Sequence, residues 1–220
     1  MEFNICNKII NIYINGNSNK LPVIIINSYT EDGLNIIYEC NKIKCKEFIL
    51  VSISNLDWNN ELTPWKNDIF LGNAGNYIKE LDSIIIPKIE EVIIDKFNKE
   101  ILYYSLIGYS LAGLFSIYSL FKTNRFKRIA SISGSLWYPN IKEYIINHNI
   151  SNNVDRIYLS LGDKEALTKN LLMSKVEENT KNIYEYFNKK VNSIYELNSG
   201  NHFKDENKRI AKAIKKILED

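Results

Sequence analysis

Two short stretches, LPVIIINS at 21–28 and EFILVSIS at 47–54, are β-branched and apolar almost without interruption. A strand with one wet face alternates apolar and polar residues, whereas a strand covered on both faces does not. These runs therefore predict strands of a parallel sheet buried between helical layers. IINIYING at 9–16 alternates instead, which predicts a half-exposed strand near the sheet edge. Further strands are predicted in LYYSLIG, RIASISG, DRIYLSLG and NSIYELNS. Helical patterns fall between them: EDGLNIIYECNKI opened by an acidic turn, 76–95, Ser110 to about Lys122, IKEYIINHN, 172–189 and 204–218. Pro87 interrupts the second of these, where a kink or break is expected. In the last helix, Ile210, Ala213, Ile214, Ile217 and Leu218 form one side. Lys208, Arg209, Lys212, Lys215 and Lys216 form the other, expected to be a solvated face.

Strand–helix alternation throughout, with no repeat or low-complexity linker, predicts one α/β domain over 1–220, a three-layer sandwich around a mostly parallel sheet. Its 220 residues suffice for a sizeable core. A net charge of +2 leaves no electrostatic footprint for nucleic acid or an anionic membrane. No apolar run approaches the roughly 18 residues of a membrane span. The opening MEFNICNKII lacks the basic-then-apolar layout of a secretory leader, so a cytoplasmic protein is expected. Cys6, Cys40 and Cys45 suit a reducing compartment. Without a neighbouring histidine they read as free thiols rather than metal ligands. Oligomeric state leaves no mark on the sequence.

Ligands of such sheets sit beyond the carboxyl ends of the strands. There IGYSLAGL places Ser110 between a buried strand and an apolar helix, with Gly108, Ala112 and Gly113 around it. Small residues permit a very tight strand-to-helix turn that projects a nucleophilic hydroxyl and points the next amide, of Leu111, at a forming oxyanion. The plainer alternative makes Ser110 a helix cap. A serine nucleophile needs a base. His148 lies at the polar end of a short helix and is expected to face solvent. His202, in YELNSGNHFKDE, follows a strand at the same sheet end as Ser110. The acid of a Ser–acid–His order falls between them, in GDKEALTKN; Glu165 is favoured by spacing and Asp163 is the alternative. A second oxyanion amide is expected from the loop after 47–54, at Leu56 or failing that Asp57. Trp58, Trp65, Trp137 and Tyr109, at this end of the sheet, are expected to line an apolar acyl or aryl pocket.

Taken together, GYSLAGL, SGSLWYP, LSLGDKE and SGNHF resemble the α/β-hydrolase esterases of the esterase D and enterochelin-esterase-like group, and NLDWNNELTPW is similar to an oxyanion loop of bacterial members. The likeness implies the α/β-hydrolase fold without a large lid, and hydrolysis of a small-molecule carboxylic ester through a Ser–acid–His site without cofactor or metal. By position it implies Ser110 as nucleophile, His202 as base, Leu111 and Leu56 as oxyanion amides and Glu165 as acid. A thioesterase or acyltransferase using the same site, and a non-catalytic hydrolase-like binding module, are the alternatives.

Overall fold

In the computed structural model, residues 1–29 and 33–219 are described. The strands are β1 (Glu2–Ile5), β2 (Lys8–Asn15), β3 (Lys20–Asn27), β4 (Phe48–Ser54), β5 (Glu100–Tyr109), β6 (Phe126–Ile132), β7 (Arg156–Gly162) and β8 (Asn192–Asn198). They form one sheet in the order β1-β2-β4-β3-β5-β6-β7-β8. β1/β2 and β2/β4 pair antiparallel, and every other neighbour is parallel.

The unbroken apolar runs belong to strands with a core on each face. Val23 and Ile25 of β3, with Ile49, Val51 and Ile53 of β4, enter one core. Ile24 and Ile26, with Phe48 and Leu50, enter the other. The first core is covered by α3 (Ala74–Glu80), α4 (Ile86–Phe97), α5 (Leu111–Ser119), α6 (Ile141–Asn147) and α7 (Val176–Asn188). The second is covered by α1 (Gly33–Lys42) and α8 (Glu206–Leu218). A short helix, α2 (Trp58–Glu61), follows β4. The acidic turn expected before α1 lies outside the described residues.

The alternating strand 9–16 lies near the sheet edge as expected, second from it, with Glu2–Ile5 folded back on it as an additional antiparallel strand. At Pro87, the place expected to kink or break, the helix changes character: α3 runs into α4 through a π-helical turn, Leu81–Ile85, where the Ile86 amide donates to the carbonyl of Leu81. A widened turn removes the clash between a proline ring and the carbonyl four residues back, so the proline sits inside the first turn of α4. Arg209 does not belong to the solvated face of α8; it is buried. Among the described residues, no helix is long and apolar enough to cross a membrane.

Candidate active site

The turn from β5 to α5 is as tight as the small residues around it allow. A Cβ on Gly108 would lie 2.1 Å from the carbonyl carbon and oxygen of Ala112. A Cβ on Gly113 would lie 2.9 Å from the Cα of Gly134, on the loop after β6. Ser110 itself has φ 58° and ψ −122°, a strained conformation for a residue with a side chain. Its backbone is fixed on both sides. The Ser110 amide donates to Ile132 O at 3.1 Å, and Ser110 O accepts from Gly113 N at 3.0 Å and Ser135 N at 3.0 Å. The serine makes no side-chain cap bond to α5, so the cap alternative is not what the structure contains.

The hydroxyl meets a histidine instead. Ser110 Oγ lies 3.1 Å from Nε2 of His202, carried on the loop between β8 and α8. His202 Nδ1 lies 2.8 Å from Oε2 of Glu165, on the loop after β7. A carboxylate only accepts, so the proton of the neutral ring sits on Nδ1 and Nε2 turns a lone pair to the serine hydroxyl. The second oxygen of Glu165 is also occupied. It accepts from the Gly162 amide at 2.6 Å, from Ser133 Oγ at 2.7 Å and from Arg209 Nη1 at 3.1 Å. Burial pushes the Glu165 carboxyl up, but hydrogen bonds from His202, Ser133 and the Gly162 amide outweigh burial and hold it below its ordinary value.

Asp163, the alternative acid, serves the loops. Its Oδ1 accepts from Gly200 N at 2.8 Å, tying the loop after β7 to the loop that carries His202. Arg209 completes that tie: Nη2 donates to the carbonyls of Ser199 at 3.2 Å and Asn201 at 2.9 Å, while Nη1 reaches Ser133 Oγ at 3.0 Å as well as Glu165. Tyr109 belongs to this support and not to a pocket wall. It is buried, and its hydroxyl donates to the carbonyl of His202 and accepts from Arg209. His148 lies away from the cluster, exposed and stacked on Tyr144.

The amides expected at the oxyanion fare differently. Leu111 opens α5 directly after Ser110, where N–H groups have no carbonyl within the helix. Leu56 and Asp57 follow β4, and β4 stands on the far side of β3 from β5. Neither lines the cavity at Ser110, and the Asp57 amide is already donated to Glu61 Oε2 at 2.8 Å. β5 is flanked by β3, followed by Ser28 and Tyr29, and by β6. Ser28 N is spent on Ile53 O at 2.8 Å. Strand order was not readable from the sequence, and the loop expected there follows a strand one place further from β5 than β3.

Ser110, Ser133, Glu165 and His202 share a cavity of about 440 Å³ with Trp137, Leu167, Met173, Val176 and Phe203. Of the three tryptophans only Trp137 lines it. Trp65 packs among Tyr118, Tyr138 and Tyr144, with Nε1 donating to Pro139 O at 3.1 Å. Trp58 meets Tyr29 edge to face. Ser133 and Arg209 are the participants that sequence reasoning missed. Arg209 carries a readable sign, since it lies four residues before Ala213, at the margin of the apolar stripe of α8.

Sheet order, elbow and the hydrogen-bonded serine, histidine and carboxylate define a protein of the α/β-hydrolase class. A family model described as "Putative esterase" matches residues 35–211, and the chain belongs to that family. It is 30% identical over 152 residues to the uncharacterized protein YbbA of Bacillus subtilis (strain 168), a match covering 66% of this chain and 60% of YbbA's length. Among solved structures it is similar to the siderophore hydrolase EstB of Aspergillus nidulans, with TM-score 0.78 and 16% identity over 100% of this chain and 95% of EstB. It is also similar to an IroE-like serine hydrolase of Shewanella oneidensis, with TM-score 0.72 and 13% identity over 96% of this chain and 75% of that one. At such identities these likenesses speak for the fold.

Proposed function

We propose that the protein is a serine carboxylic-ester hydrolase working through an acyl-enzyme, with Ser110 as nucleophile, His202 as general base and acid, and Glu165 as the acid that orients it. The carrying observation is the unbroken relay from Ser110 Oγ to His202 Nε2 at 3.1 Å and from His202 Nδ1 to Glu165 Oε2 at 2.8 Å. Membership of an esterase family supports the same reading.

In this mechanism Nε2 takes the hydroxyl proton as Oγ bonds to the ester carbonyl carbon. The electron pair of the C=O moves to oxygen, which the amides of Leu111 and Tyr29 receive. Loss of one such donor costs roughly 3 kcal/mol of transition-state stabilisation. The pair then returns, the C–O bond to the alcohol breaks, and His202 gives its proton to the leaving oxygen. Water repeats the sequence on the acyl-enzyme and frees the acid. Each step is carried by groups of this chain, so the chemistry calls for no cofactor or metal.

The test is hydrolysis of p-nitrophenyl acetate. Ser110→Ala is expected to lose turnover and labelling by a fluorophosphonate while keeping its melting temperature within a few degrees. Full activity in Ser110→Ala would refute the assignment.

A further inference from the structure

We propose that the cavity beside Ser110 takes the alcohol limb of the ester, not its acyl limb, and that this limb is apolar: an alkyl or aryl alcohol. The inference rests on the serine-hydrolase reading above and adds a direction to it. The leaving oxygen must lie by His202 Nε2, which returns the proton to it. The oxyanion belongs on the opposite side of the nucleophile, toward the Leu111 amide and the strand β3 that flanks β5. Among the described residues, the apolar walls of the cavity lie on the His202 side: Trp137 after β6, then Leu167, Met173 and Val176 between β7 and the start of α7, then Phe203 next to His202. Whatever fills it is joined to the oxygen that His202 protonates.

The walls also state what they bind. Leu167 is 79% exposed and Phe203 85% exposed, and neither belongs to either core. Large apolar side chains left in water around a cleft, outside both cores, mark a surface for an apolar ligand, and Phe203 also meets the His202 ring edge to face. Among the described residues, polar groups at the edge are Lys164, Thr168 and Asn201, apart from the serines and the reacting residues on its floor.

Two substrate series separate the limbs. Ethyl, butyl and hexyl acetate vary the alcohol at nearly constant leaving-group acidity and are followed by pH-stat. p-Nitrophenyl acetate, butyrate and hexanoate vary the acyl group. In the wild type kcat/KM is expected to rise along the alcohol series by about two- to fourfold per methylene, as for burial of apolar surface. Leu167→Ser and Leu167→Ala, at an exposed side chain outside both cores, are expected to flatten that rise and to leave the slope of the acyl series as it was. A flat alcohol series in the wild type overturns the proposal, and so does a change confined to the acyl series in the variants. Fluorophosphonate labelling of Ser110 keeps the two failures apart. If the protein is labelled and hydrolyses p-nitrophenyl acetate while the alcohol series is flat, only the assignment of the cavity falls. If it is neither labelled nor active, the hydrolase reading falls first.

Discussion

Glu165 is the residue on which the site is hung. One oxygen faces His202 and the other gathers the Gly162 amide, Ser133 and Arg209. Replacing it by glutamine puts an amide where only acceptors fit, so His202 loses its enforced tautomer. Glu165→Gln is expected to lower kcat by roughly 10²–10⁴-fold. Asp163→Asn, which retains an oxygen for the Gly200 amide, is expected to stay within a few-fold of the wild type. Steady-state rates on one p-nitrophenyl ester decide between the two acids. Spacing within GDKE favours Glu165 on its own. That Asp163 is already engaged follows only from the way two loops meet, which spacing does not encode.

Two elements set the position of these groups. The β5–α5 elbow depends on the bare backbone of Gly108, whose added Cβ would meet backbone rather than a yielding side chain. Gly108→Ala is expected to destabilise by about 3 kcal/mol and to abolish activity, measured by urea unfolding and ester turnover. The elbow was legible because its requirement is steric and local: small residues at fixed offsets from one serine. α8 is the contrary case. Its Arg209 sits in a run of charges that reads as a wet face, yet it is buried among Glu165, Ser133 and the carbonyls of Ser199 and Asn201. Arg209→Met leaves the Glu165 carboxylate short of a buried partner. We expect a loss of about 3–5 kcal/mol and a fall in kcat as the His202 loop loosens. Thermal melts alongside rates check it.

At the scale of the whole molecule, the site binds distant segments into one stability unit, and acid should expose this. The Glu165 carboxyl is held below its ordinary value of 4.5 in the folded chain. A depressed carboxylate stabilises the fold above its unfolded value, and the contribution vanishes as pH falls through the folded one. The melting temperature of the wild type is therefore expected to drop more steeply than that of Glu165→Gln below about pH 4.5. Melts from pH 7 to 3 measure the narrowing gap, and parallel curves would contradict the sign.

What the sequence determined by itself is what short-range physics encodes. Continuous β-branched runs called for strands covered on both faces, the glycines around Ser110 called for a sharp turn, and the order of Ser110, Glu165 and His202 matched loops at one end of a parallel sheet. The tertiary structure alone decided which strands are neighbours. Because β3, not β4, lies against β5, the residues that follow the flanking strand are Ser28 and Tyr29 and not Leu56. For the same reason Trp65 packs among tyrosines while Leu167 and Phe203 frame the cavity. Strand order is a competition among long-range pairings of similarly apolar segments, and no local pattern of residues records its outcome.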